Sequence, residues 1–85
     1  MTEDEIITRA SRLPDRFAGR IPDDVLVGLR LMDDGGEYGE LVGELTAALA
    51  VNHTPVSAAE RDELRVLADA TGEGIDYVGQ LVVSE

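Results

Sequence analysis

Two adjacent glycines, Gly35-Gly36, divide this chain and set where its longest helical stretch begins. Glycine is unfavourable inside a helix and closes one readily by adopting the left-handed conformation. The run Asp33–Val51 therefore reads as a turn, Asp33-Asp34-Gly35-Gly36, opening a new helix with three distinct sides. At about 100° per residue, Tyr38, Leu41, Val42, Leu45 and Leu49 share one arc. Glu37, Glu40 and Glu44 share a second; Gly39, Gly43, Thr46, Ala47 and Ala50 share the third. The first arc is expected to be core, the second a solvated or partner-facing acidic ridge. The third is a nearly bare backbone that another element can approach closely.

The segments on either side follow the same logic. Thr2 to Leu13 reads as a short helix: Thr2 is its cap, Glu3, Asp4 and Glu5 suit the positive end of its dipole, and Ile6, Ile7, Ala10 and Leu13 form its apolar seam. Pro14 disfavours helical geometry at Leu13 and is expected to end it. Phe17, the only phenylalanine, falls in the connector Pro14–Ile21 and reads as a core anchor. Pro22 suits the first turn of a second helix running to about Asp34. Val25, Leu29 and Met32 occupy one flank of that helix, Val27 and Leu31 the other, so it is expected to be packed from two sides, with Gly28 at a close crossing. After Asn52-His53-Thr54-Pro55, the pair Ser57 and Glu60 forms a capping-box signature for a helix over Ala58–Ala70, with Leu64, Leu67 and Ala68 inward and Val66 elsewhere. Thr71-Gly72-Glu73-Gly74 ends it. Ile75–Val83 keeps helical spacing; a strand there has no evident mate, so helix is preferred. The result is a single all-α domain, residues 1–85, a compact bundle of four to five short helices.

Composition excludes much chemistry. There is no cysteine, no lysine and one histidine, His53, beside a proline loop. Disulfides, thiolate metal sites, multi-histidine metal sites and lysine-dependent phosphate loops are all ruled out. A Ser–His–acid or Cys–His set has only His53 to draw on, and no sequence feature points to an apolar pocket that would raise a carboxyl pKa for acid–base work. A calcium loop starting at Asp33 would place Glu44 at its twelfth position, but Gly35 and Tyr38 then fall where a ligand and the turn glycine are required. Ser57, between Val56 and Ala58, lacks the Asp-Ser-Leu setting of an acyl carrier protein. No cofactor is expected, and the chain reads as non-enzymatic. The opening Met-Thr-Glu-Asp-Glu is acidic where a secretory signal would be basic and then apolar, so a soluble, cytoplasmic protein is expected.

Charge is unevenly divided. Residues 1–32 carry six acids and five arginines; residues 33–85 carry twelve acids and only Arg61 and Arg65. The total is −11, which argues against nucleic acid or an anionic membrane as partner and favours a basic protein. A solubilising face is the simpler reading of the same charges.

The order of features, Gly36-Glu37-Tyr38-Gly39, the leucine-rich run Leu41 to Leu49, Pro55-Val56-Ser57 and then Leu67-Ala68, resembles the small helical immunity proteins of bacterial polymorphic and contact-dependent toxin systems, in particular the MafI-type group. The resemblance spans about residues 17–83; Glu40 and Gly43 stand where that group carries smaller or apolar residues. It implies a helical fold and a cognate toxin as partner. Joined to the charge, it makes Asp33, Asp34, Glu37, Glu40 and Glu44 the expected contacts for a basic, nuclease-like toxin, with Tyr38 either a core residue or an anchor. The alternative is a small acidic adaptor that binds a peptide or subunit through Gly39 and Gly43, whose spacing also permits a homodimer.

Overall fold

The computed structural model describes residues 1–84, and over them the chain is all-α with no regular strand. Helices α1 (Glu3–Ala10), α3 (Asp23–Asp34), α4 (Tyr38–Val51) and α5 (Ala58–Thr71) form the bundle. Two short pieces, α2 (Leu13–Phe17) and α6 (Ile75–Val78), complete it. No described helix is long and apolar enough to cross a membrane.

The hub is α4, which packs against α1, α3, α5 and α6. Its apolar arc is buried as its spacing requires: Leu41, Val42, Leu45 and Leu49 are inaccessible to solvent, and Tyr38 packs half-buried at the core's edge. Leu29 reaches this core from α3, Phe17 from α2, and Leu64, Leu67 and Ala68 from α5. Each fully buried Leu, Val or Phe side chain among these contributes on the order of 1.5–3 kcal/mol.

Both ends of the hub's register are closed by the same device. At the end of α3, Gly36 adopts φ +73°; its N–H donates to the Asp33 carbonyl, and the Glu37 N–H donates to that of Met32. At the end of α4, His53 takes the left-handed position at φ +52°, with its N–H on Ala50 and the Thr54 N–H on Leu49. These are Schellman closures. In the second, a residue with a Cβ occupies a place that favours glycine.

Several expectations are corrected. The first helix stops at Ala10; Leu13 and Pro14 open α2 instead of ending α1, because a proline in a first turn forfeits no helical hydrogen bond. The second flank of α3 is not packed: Val27 and Leu31 are 59% and 66% exposed, and a Cβ on Gly28 would meet nothing within 4 Å. The last segment is helical only over Ile75–Val78. It then extends, and Val83 forms an isolated parallel bridge with Val56, with Val56 N–H donating to Val82 and Ser84 N–H to Val56. The extended end does have a mate, Val56 in the α4–α5 loop, though a single bridge makes no strand.

The N-terminal arm is held by arginines. Glu60 completes the predicted capping box on Ser57, each side chain meeting the other's backbone N–H. The same carboxylate, almost fully buried, also accepts a forked pair from Arg20 and a 3.0 Å bond from Arg16 Nε. Arg20 in turn lies over the Phe17 ring, 4.4 Å from its centroid. One turn along α5, Glu63 receives both arms of Arg9. The Arg20 hydrogen bonds, aided by those of Ser57 and Arg16 and opposed by burial, hold the Glu60 carboxyl down at about 2.

A carboxyl whose folded pKa is depressed stabilises the fold above its unfolded value, near 4.5, and loses that contribution as pH falls towards about 2. Glu60→Gln should therefore cost about 2 kcal/mol at neutral pH and shrink the difference between variant and parent across pH 4.5 to 2, read by urea unfolding at several pH values. His53→Gly should raise stability by about 0.5 kcal/mol by relieving the left-handed residue; a lower midpoint in the same assay would contradict that closure.

Candidate functional site

Two concavities stand out among the described residues. One, about 290 Å³, lies between the N-terminal arm and α5 and is lined by Arg9, Arg12, Arg16, Glu60 and Glu63 around Leu13 and Ala59. Its carboxylates are already matched by arginines, so it is a structural cleft. Glu63 sits below its usual range chiefly because Arg9 hydrogen-bonds to it.

The other, about 370 Å³ and more open, is a groove between α4, the end of α3 and the α5–α6 loop. Met32, Gly43, Ala47, Gly74 and Tyr77 line it together with three carboxylates: Glu40, Glu44 and Glu73. No ion pair reaches any of the three among the described residues.

Local sequence explains how the third carboxylate arrives there. Gly72 and Gly74 adopt φ +75° and +82°, which turns the chain sharply on either side of Glu73. The loop lands on the bare side of α4. A Cβ on Gly39 would meet Glu73 Cγ at 3.3 Å, and one on Gly43 would meet Glu73 Cβ at 3.4 Å. Glu73 therefore lies along the glycine face, its stem replacing the missing side chains. Gly74 comes closer still: its own Cβ would fall 3.0 Å from Gly43 Cα and 3.5 Å from Thr46 Cβ. Thr46, fully buried beneath this contact, satisfies its hydroxyl on the Val42 carbonyl. The expected close approach to the glycine side is real, but the approaching element is this loop, and not the Val27/Leu31 flank of α3.

Of the residues expected to bind a partner, Glu40 and Glu44 line the groove. Asp33, Asp34 and Glu37 lie outside it, around the α3–α4 turn; Asp34 and Glu37 are exposed and Asp33 is half-buried. Tyr38 belongs to the core's edge. Glu73, Tyr77 and Met32 complete the groove and were not anticipated. The available signal was the match between a glycine face on one helix and a Gly-Glu-Gly turn later in the chain.

The uncompensated acids break local rules. Asp33 and Asp34 occupy the last turn of α3, where the dipole disfavours anions and no basic residue offsets them. Glu40 and Glu44, four residues apart, repel along α4. Among the described residues no group of His, Cys, Asp and Glu is arranged to hold a metal ion. No family model matches the chain, and neither a curated protein nor a solved structure matches it.

Gly74→Ala should cost about 2 kcal/mol or more, since it combines a left-handed backbone with a backbone clash on Gly43. Gly28→Ala, in open space within α3, should instead gain about 0.5–1 kcal/mol. Thermal unfolding of both variants checks the assignment of a close contact to one glycine and not the other.

Proposed function

We propose that this chain is a non-enzymatic immunity protein that neutralises a basic bacterial toxin domain by binding it through the acidic surface around α4. The observation that carries the reading is the sorting of charge. Arg9, Arg16 and Arg20 of the N-terminal arm are spent on Glu63 and Glu60, and Arg30 of α3 on Asp15, while Asp33, Asp34, Glu37, Glu40, Glu44 and Glu73 have no ion-pair partner among the described residues. Acids that receive no internal compensation, two of them at the end of α3 where the dipole disfavours them, are expected where a partner supplies the opposite charge. A toxin that grips nucleic acid carries such a basic surface. The immunity resemblance in the sequence, from Gly36-Glu37-Tyr38-Gly39 to Leu67-Ala68, supports the same class.

The mechanism is occupancy. Diffusing acids steer the encounter and set its register, and apolar contacts at the groove retain the complex. Catalysis forms no part of it, in keeping with a chain whose only histidine stands exposed at a helix closure. Close packing of a second helix on Gly39 and Gly43, as an adaptor or homodimer would need, gains no support, since Glu73 and Gly74 already lie against those glycines.

Co-expression with the product of the gene directly upstream should restore growth, and the two proteins should co-purify at low salt and separate as salt rises. Glu40→Lys and Glu44→Lys should each weaken the complex by roughly tenfold or more. Undiminished affinity in both charge reversals would remove the acidic surface from the interface.

A further inference from the structure

The groove has a more specific chemistry than a negative surface. Besides its three carboxylates it is lined by the apolar side chains of Met32 and Ala47, by the backbones of Gly43 and Gly74, and by Tyr77 on α6 at 38% exposure. A bare cation does not fit this arrangement, because the described acids do not converge as a metal shell. A second copy of this chain does not fit either, since it would bring its own net −11 to a groove already triply acidic. A cationic head on a long apolar stem fits both parts. The stem lies along Met32 and Ala47, and the head meets carboxylates from two elements, Glu40 and Glu44 on α4 and Glu73 on the loop.

We infer that this groove is the seat for one arginine of an amphipathic basic segment on the partner protein, held by Glu40, Glu44 and Glu73 and laid against Tyr77. Arginine suits it better than lysine on two counts. The planar guanidinium can address two carboxylates at once through separate edges, and it loses less hydration when it settles against an aromatic ring. The exposed flank of α3 extends the same surface. On the helix, Val27 and Leu31 lie next to Gly28, and Gly28 next to Met32. An apolar side chain near the arginine on the partner segment would therefore meet Leu31. The inference rests on the proposed function only for the partner's being a basic protein; the groove's selectivity is a property of this chain and can be tested without any toxin.

The probe is a synthetic amphipathic helix with arginine and leucine at helical spacing. It is compared with an isomer of scrambled order and with a version carrying lysine at each arginine. Amide chemical shifts of the isotope-labelled full chain report where each binds. The expected result is shifts centred on Gly43, Glu44, Ala47, Gly74 and Tyr77. The scrambled and lysine peptides should each bind roughly fivefold or more weakly. Glu44→Gln and Tyr77→Ala should each weaken the arginine peptide by about tenfold, while Asp24→Asn, an exposed acid on α3 outside the groove, should leave it unchanged. Native amide dispersion in each variant establishes that the fold is intact, and Glu44→Gln, on an exposed side chain, retains it even if Tyr77→Ala does not. Shifts scattered over all acidic surfaces, equal binding of the three peptides, or no binding would each overturn the inference. A groove that binds the peptide in a protein that rescues no toxin would retire the immunity reading alone; rescue with Glu44→Gln and Tyr77→Ala both silent in the peptide assay would retire the arginine seat alone.

Discussion

Glu60 is the carboxylate on which the arrangement of the N-terminal third depends. It caps α5, and it collects Arg16 and Arg20 from the arm that carries Phe17 into the core. A buried charge left without its partners is costly, whereas the complete cluster satisfies every oxygen it hides. No buried side-chain polar atom among the described residues lacks a hydrogen-bond partner. Helix α5 thus begins with a group that is at once a cap, an ion-pair centre and a tether to segments 40 and 44 residues earlier.

That internal use of arginine shapes the outside of the molecule. With most of the N-terminal cations committed to α5 or to Asp15, the acids of α3, α4 and the α5–α6 loop have no ion-pair partner among the described residues. The glycine side of α4 then lets the loop approach so closely that Glu73 joins Glu40 and Glu44 in a groove shared with Met32, Ala47 and Tyr77. The groove arises from a packing solution on one side of the hub and a charge solution on the other.

Much of this was legible in the residues. The helix class, the capping box of Ser57 and Glu60, the cap at Thr2, the buried arc of α4 and Phe17 as anchor all follow from spacing and local chemistry, which act over a few residues. What escaped depends on distant partners. Pro14 serves equally to stop one helix or start another, and only the docking of Leu13 and Phe17 decides which. Val27 and Leu31 have core chemistry but no element facing them. Val56 and Val83, 27 positions apart, form a bridge that no local pattern announces. In the same way Glu40 and Glu44 could be placed on a ridge, while Glu73 and Tyr77 enter the groove only through a tertiary turn.

The exposed flank of α3 has a consequence for how this protein behaves in acid. Val27 and Leu31 are kept from meeting their counterparts on other molecules by a strongly negative surface that vanishes near the isoelectric point of about 4.2. The Glu60 carboxylate is still ionised at that pH and keeps its arginines, because it takes up a proton only near 2. Mild acidification therefore strips the exposed flank of its electrostatic protection while the Glu60–arginine cluster still holds.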